Sequence, residues 1–171
     1  FAPLVRTDRA VSALSIHPRS NNLLIGYEDG LTELRTMRGK LIQSEKRHGD
    51  RVLGFSADPG DGSLTSVGRD GQLVFWKNNL HVHAHQPRAN GIQWSPDSSR
   101  VFTSGDDYTL KSWSPEGTSI AVYRGHAGFV NGLSVSSDGQ YVASAGEDRV
   151  VRLWKTESKV AQRYGPHLNG V

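Results

Sequence analysis

Short apolar runs recur along the whole chain and are separated by Gly, Asp, Asn and Pro. Short runs rich in Val, Ile and Leu and cut by turn residues are typical of antiparallel strands joined by hairpins. No segment keeps a helical period, so the pattern predicts an all-β fold without helices. The predicted strands span residues 1–7, 11–17, 23–27, 31–35, 40–45, 51–57, 63–68, 72–77, 80–84, 90–95, 100–105, 109–114, 118–124, 129–135, 141–146, 150–155 and 159–165.

Three residue types recur at a fixed spacing. His126 precedes Asp148 by 22 positions, and Asp148 precedes Trp154 by six. Two other sets keep both intervals: His85, Asp107 and Trp113, and His48, Asp70 and Trp76. An N-terminal copy keeps its aspartate but differs at the other two positions, and its residues are Thr7, Asp29 and Arg35. Repetition at a fixed interval predicts an array of similar structural units.

These units resemble the WD-repeat family of β-propellers, and the resemblance covers essentially the whole chain. The residues that carry it are Gly125-His126, Ser144, Asp148 and Leu153-Trp154, with partial copies upstream. Membership of this family implies four-stranded antiparallel sheets, called blades, set around a central channel. The four blades would span residues 8–46, 47–84, 85–124 and 125–165, and residues 1–7 and 166–171 would belong to neighbouring blades.

The resemblance also implies a hydrogen-bonded tetrad in each intact blade, running from Trp through Ser or Thr and His to Asp. The tetrads would be Trp76, Ser66, His48 and Asp70; Trp113, Thr103, His85 and Asp107; and Trp154, Ser144, His126 and Asp148. Blade one has Ile25 at the serine position, so we expect no tetrad there. Because a buried indole N–H needs an acceptor and a buried carboxylate needs donors, such a network has a structural role, and we expect each Trp to be largely buried.

Charge and composition give no sign of a nucleic-acid or membrane partner. Residues 1–80 carry 11 basic and 9 acidic residues, and residues 81–171 carry 9 and 8, which leaves a net charge of +3. The chain has no cysteine, no long apolar run and no signal-peptide layout, so we expect an intracellular protein of the cytoplasm or nucleus. It begins with Phe1 rather than Met, so we expect it to be a piece of a longer polypeptide.

No enzymatic site is expected. Ser, His and Asp recur in three equivalent blades, whereas an active site needs only one activated hydroxyl. The run HVHAH places His81, His83 and His85 on one strand face, as a transition-metal site could, but His85 belongs to a tetrad and no carboxylate is near in sequence. A solvated outer strand explains it better, so no metal or cofactor is expected. Basic residues between Arg35 and Arg51 are interrupted by acidic ones, which favours a solvated face over a site for an acidic partner.

Four blades fall short of the number, about seven, that the resemblance implies for a closed ring. An open arc would expose the apolar sides of its first and last blades, and such patches are large for a stable monomer. We therefore expect an incomplete or partner-completed ring, in which another chain or missing blades cover both ends.

The function predicted for this architecture is a non-catalytic scaffold that binds proteins or peptides. An alternative is a sensor or regulatory propeller within a large multidomain signalling protein. Three positions in each repeat are expected to converge on one rim of the channel: the two that open the first strand, and the one before the tetrad Asp. The rim residues predicted to bind a partner are Arg51, Arg69, Arg88, Asn90, Asp106, Phe129, Asn131 and Glu147. Phe129 and the arginines stand out, since aromatic and Arg side chains dominate binding hot spots.

Overall fold

The computed structural model describes residues 4–157, together with the strand Ala161–Pro166. Within these residues the chain forms sixteen β-strands and no helix. The strands are β1 Val11–Ile16, β2 Leu23–Tyr27, β3 Leu31–Arg35, β4 Leu41–Lys46, β5 Val52–Ala57, β6 Leu64–Gly68, β7 Gln72–Phe75, β8 Leu80–His83, β9 Ala89–Trp94, β10 Val101–Gly105, β11 Thr109–Trp113, β12 Ser119–Arg124, β13 Val130–Val135, β14 Tyr141–Gly146, β15 Val150–Lys155 and β16 Ala161–Pro166.

Four consecutive strands at a time form one antiparallel sheet. We call the sheets β1–β4, β5–β8, β9–β12 and β13–β16 blades one to four. Neighbours in each sheet are consecutive in sequence, so every connection within a blade is a hairpin. The first strands of successive blades, β1, β5, β9 and β13, lie side by side. The fold is therefore all-β, and the blades form an arc that does not close into a ring.

The apolar core lies between blades rather than within them. Between blades two and three, Val67 and Phe75 pack against Trp94 and Trp113. The Trp94 ring meets Phe75 edge-on at 6.3 Å, and its indole N–H donates to Oγ1 of Thr65 over 3.0 Å. Because both faces of a blade are covered by its neighbours, its middle strands are apolar on both sides. β6 and β10 are accordingly buried along their whole length.

The interface between blades three and four is also apolar. Trp154 is fully buried against Phe102, Leu110 and Tyr123 of blade three. Tyr123 meets the Trp154 ring at 5.6 Å, with the planes steeply inclined, and its hydroxyl donates to the carbonyl of Thr156. Rings in this geometry attract each other beyond the effect of the area they bury.

The interface between blades one and two is polar by comparison, and Trp76 is half-buried there, whereas Trp113 and Trp154 are buried. Thr32 and Glu45 pair across β3 and β4 at the register that Leu110 and Tyr123 hold in blade three. Blade one thus offers Trp76 a hydroxyl and a carboxylate instead of two large apolar side chains.

A buried arginine fills this polar interface. The Arg47 guanidinium lies 4.4 Å from the centre of the Trp76 ring and donates hydrogen bonds to Glu45 and to Asn79. Burial lowers the pKa of Arg47, and the Glu45 carboxylate opposes that shift. A cation stacked on an aromatic ring and paired with a carboxylate therefore replaces an apolar contact.

The strand predicted over residues 1–7 does not form in its described part, residues 4–7. A strand needs a hydrogen-bonded partner edge, and blade one is already a complete four-stranded sheet. Val5 instead packs against the side of blade one, on the cluster of Leu23, Ile25 and Tyr27. Most of the segment predicted to open a further blade at the C-terminus, residues 167–171, lies outside the described residues.

The described contacts predict that the three tetrad tryptophans are unequal. Trp154→Ala removes a fully buried ring, so we expect the free energy of unfolding to fall by about 3–5 kcal/mol. Trp76→Ala should cost less, because Trp76 is half-buried and faces polar groups. Urea denaturation followed by circular dichroism measures both values, and equal losses would contradict the difference between the two interfaces.

Candidate functional site

Blade four brings its four predicted tetrad residues into one hydrogen-bonded chain. The Trp154 indole N–H donates to the Ser144 hydroxyl over 2.9 Å, and that hydroxyl lies 2.8 Å from Nε2 of His126. Nδ1 of His126 lies 2.9 Å from the Asp148 carboxylate. The Ser144 hydroxyl thus accepts from Trp154 and donates to Nε2, which leaves the proton on Nδ1 to donate to Asp148.

Blades two and three contain the same chain. In blade three, Trp113 donates to Thr103 over 2.9 Å, Thr103 lies 2.8 Å from His85, and His85 lies 2.7 Å from Asp107. In blade two, the corresponding distances among Trp76, Ser66, His48 and Asp70 are 3.0, 2.8 and 3.1 Å.

These groups differ from a catalytic triad in the state of the hydroxyl. Ser66 is fully buried, and its oxygen is engaged by both Trp76 and His48. A nucleophile needs an exposed hydroxyl with a free line of attack. The carboxylate of Asp70 also accepts the backbone N–H of Gly49, which attaches the loop leading into the blade to the turn between its second and third strands. The tetrads therefore have the contacts of a structural network.

Two tetrads carry an additional cation that the sequence analysis did not predict. Lys111 lies 2.7 Å from Asp107 and Arg152 lies 2.8 Å from Asp148, each four residues after the aspartate. The sequence signal for these cations was a basic residue four positions after the tetrad aspartate in blades three and four. Burial opposes ionisation of Asp148, but hydrogen bonds from the Ala127 N–H, His126 and Arg152 outweigh it and lower its pKa to about 2.

Blade one has no tetrad, and three other side chains occupy the corresponding place. Tyr27 pairs with Val11 at the register at which Gly68 pairs with Val52 in blade two. A Cβ on Gly68 would lie 2.7 Å from the ring of His48, so that position admits a side chain only where the histidine is missing.

Tyr27 supplies that side chain and is almost completely buried. Its hydroxyl donates to Oε2 of Glu33 over 2.8 Å, and Nε of Arg35 donates to the same oxygen over 2.7 Å. Burial raises the pKa of Tyr27, and the Glu33 carboxylate raises it further. The sequence signal was a Tyr at a position where the other three blades have Gly.

The predicted rim residues are paired in ways that differ between blades. Arg51 contacts Glu28, and Arg69 lies 3.9 Å from Asp50. Nε of Arg88 lies 2.5 Å from Asp106, whose side chain is almost completely buried. Each of the three predicted rim arginines is thus matched by a carboxylate.

One cluster of rim residues joins blades three and four. The Asn90 amide donates to Asp106 over 2.7 Å and to the carbonyl of Val130 over 3.2 Å, so it bridges the two blades. The Arg88 guanidinium lies 5.8 Å from the centre of the Phe129 ring. Arg88, Asn90, Asp106 and Phe129 therefore form one connected group, which we call the rim cluster. The two other predicted residues, Asn131 and Glu147, are exposed on blade four.

Tyr108 extends this cluster and was not predicted. It follows the tetrad Asp107 directly, and its ring lies 5.7 Å from that of Phe129, with the two planes inclined by 34°. Tyr108 is 45% exposed, which makes it the most exposed aromatic side chain among the described residues.

The structure places the histidines of the HVHAH run in different surroundings. His81 and His83 are exposed on β8, whereas His85 is buried in its tetrad. Nδ1 of His83 lies 3.1 Å from the Gln72 amide. Among the described residues no three His, Cys, Asp or Glu side chains are grouped closely enough to hold a metal ion. The described part of the chain also lacks any helix long and apolar enough to cross a membrane.

Four-stranded antiparallel sheets, arranged side by side by their first strands and each pinned at one edge, define the blades of a β-propeller. The model of the family "WD domain, G-beta repeat" matches residues 78–114 and 117–155. Residues 78–114 and 117–155 are thus WD repeats, and the four sheets have the fold of propeller blades.

Comparisons with known proteins agree with this assignment. The solved structure titled "Structure of U3-55K" aligns with 94% of the chain and with 53% of its own chain, at a TM-score of 0.80 and 19% identity, which shows the shared fold. "Polyadenylation factor subunit 2" of Cryptococcus neoformans var. neoformans serotype D, in strains JEC21 and B-3501A, is 26% identical over 102 residues. That match spans 57% of this chain and only 14% of each relative.

The tetrads predict that acid destabilises the fold. Burial lowers the pKa of His85 and His126, so below pH 6.5 the unfolded chain takes up protons that the folded chain does not. Stability should therefore fall as the pH drops from 7 towards 5. It should fall further below about pH 4, where the unfolded chain protonates aspartates that the folded tetrads keep ionised.

Thermal melts between pH 8 and pH 4 measure this slope. His126→Gln should flatten the slope between pH 7 and 5, because it removes one of the buried titrating groups. The exposed His81 provides the matched control His81→Gln, which should leave the slope unchanged. A melting temperature that is constant from pH 7 to pH 5 would refute this account.

Proposed function

We propose that the chain is a non-catalytic scaffold that binds a protein or peptide partner at the rim formed by blades two to four. The residues proposed to contact the partner are Arg51, Arg69, Arg88, Asn90, Asp106, Phe129, Asn131 and Glu147. The observation that carries this proposal is the rim cluster, in which the buried Asp106 carboxylate orients Arg88 and the Arg88 guanidinium lies beside the Phe129 ring.

The rim cluster has the features of a binding hot spot. Hot spots are enriched in aromatic and Arg side chains that are already ordered before the partner arrives. Arg88 is oriented by Asp106, and Asp106 is oriented in turn by Asn90. A rim whose arginines are matched by carboxylates suits a partner of mixed charge better than a polyanion.

The setting proposed for this scaffold is an intracellular assembly without a cofactor. The absence of cysteine fits a reducing compartment. The name of the relative, a factor subunit, supports a role inside a multi-subunit complex. No described contact favours the alternative of a sensor propeller in a signalling protein over this role.

Both ends of the arc are also proposed to be covered, by another chain or by further blades. Leu14 and Ile16 of β1 are 66% and 54% exposed. At the same repeat positions in blade four, Leu133 and Val135 pack against blade three. Blade one therefore presents side chains of an interblade contact with no blade to receive them.

Peptide binding tests the rim. Random 12-residue peptides displayed on phage are selected on the chain, and synthetic copies of the enriched peptides are titrated by fluorescence polarisation. Phe129→Ala should weaken binding by about 1–4 kcal/mol, because it removes the ring of the proposed hot spot. Ile120→Ala, which changes an exposed side chain on the outer strand of blade three, is the control and should bind normally. If Ile120→Ala abolishes binding and Phe129→Ala does not, the site is on the outer strands.

Sedimentation velocity tests the uncovered end. The double variant Leu14→Ser and Ile16→Ser should reduce self-association of the chain without lowering its melting temperature, because both side chains are exposed. Leu133→Ser, at the position equivalent to Leu14, should instead lower the melting temperature, since Leu133 packs between blades. Unchanged self-association in the double variant would show that this face of blade one does not mediate the association.

A further inference from the structure

The residue after the tetrad aspartate has a left-handed backbone in every blade. Blades one and two have Gly30 at φ 86° and Gly71 at φ 75°, as this conformation favours. Blades three and four have Tyr108 at φ 65° and Arg149 at φ 60°. A Cβ is disfavoured in this region, and a bulky side chain there is a true outlier.

Packing within the blade does not account for the tyrosine. Tyr108 is 45% exposed, and its ring packs beside that of Phe129, which is itself only half-buried. Two of the four blades make the same turn with glycine, so the turn needs no side chain. A backbone held against its preference, with the side chain on the surface, indicates a role at a binding site.

We propose that Tyr108 and Phe129 form an aromatic platform that receives an apolar side chain of the partner peptide, either aromatic or long aliphatic. This proposal rests on the proposed function and adds to it Tyr108 as a specificity-determining residue. The two rings lie 5.7 Å apart and 34° from parallel, so they present one continuous apolar surface at the junction of blades three and four.

The charges around the platform explain why the anchor is apolar. Arg88 is paired with Asp106, and Lys111 is paired with Asp107 on the other side of the turn. A charged anchor would have to compete with these existing ion pairs and lose its own hydration. An apolar side chain needs only to displace water from the exposed Tyr108 ring and the half-buried Phe129 ring.

The same pairing argues against a nucleobase as the occupant. Proteins that stack single-stranded nucleic acids on aromatic rings also present unpaired basic residues to the phosphates. The three predicted rim arginines are matched by carboxylates: Arg51 contacts Glu28, Arg69 lies 3.9 Å from Asp50, and Arg88 contacts Asp106. A peptide with an apolar anchor therefore fits this surface better than RNA or single-stranded DNA.

Glycine substitutions separate binding from backbone conformation. Tyr108→Gly removes the ring and relieves the left-handed strain, and Arg149→Gly relieves the same strain one blade away. Both variants should melt within about 2 °C of the unmodified chain. The peptides enriched on phage should share an aromatic or long aliphatic residue, and Tyr108→Gly should weaken their binding at least about tenfold, whereas Tyr108→Phe and Arg149→Gly should stay within about twofold.

The outcomes distinguish the aromatic platform from the rim site proposed above. If Phe129→Ala weakens peptide binding and Tyr108→Gly does not, the platform is refuted and the rim site stands. If neither variant weakens binding, or if no peptide is enriched above a selection on empty beads, both proposals fail. Enriched peptides that are predominantly acidic, or tight binding of a fluorescent oligouridine or oligothymidine, would overturn the apolar anchor.

Discussion

The hydroxyl at the centre of each tetrad is the group on which the blade architecture depends. It is the one atom that meets both the tryptophan of the third strand and the histidine of the loop leading into the blade. The hydroxyl accepts from the indole N–H and donates to Nε2 of the histidine. The histidine proton is therefore on Nδ1, which donates it to the aspartate carboxylate. A network satisfied at every atom stabilises one arrangement of strand, turn and loop, and a missing member would leave a buried donor or charge. Three repetitions of this unit give the chain three blades whose edges are fixed in the same way.

Much of the fold was readable from the sequence because the same geometry is used repeatedly. Intervals of 22 and six residues placed the histidines, aspartates and tryptophans together, and short apolar runs located the strands to within one or two residues at most ends. The exceptions depend on neighbours in space. Residues 4–7 have the composition of a strand but join none of the sheets, and Trp76 has the spacing of a buried residue but faces Glu45 and Arg47. The replacement of the first tetrad by Tyr27, Glu33 and Arg35 needed both the missing histidine and the space it leaves.

At the rim, too, position in the repeat could be read from the sequence, whereas the pairing of side chains could not. Counting from the tetrad histidine and aspartate selected Arg88, Asp106 and Phe129, and these residues lie together in the structure. Counting could not show that the arginines are matched by carboxylates, since that depends on side-chain directions across neighbouring turns. Tyr108 was overlooked because it lies one residue beyond the positions considered. A column-by-column comparison of the repeats, which reads Gly, Gly, Tyr and Arg after the aspartate, would have found it.

The contacts between neighbouring blades differ in kind, so the blades are coupled to one another with unequal strength. Blades two, three and four are joined by buried aromatic rings, whereas between blades one and two the half-buried Trp76 is stacked on Arg47, which is paired with Glu45. In repeat proteins the coupling between neighbours decides whether the whole array unfolds as one unit or in steps. Salt screens a partly exposed ion pair but strengthens apolar contacts, so rising concentrations of a stabilising salt act in opposite senses on the two kinds of link. We therefore expect blade one to be the first to separate from the other three, and its coupling to them to depend on ionic conditions.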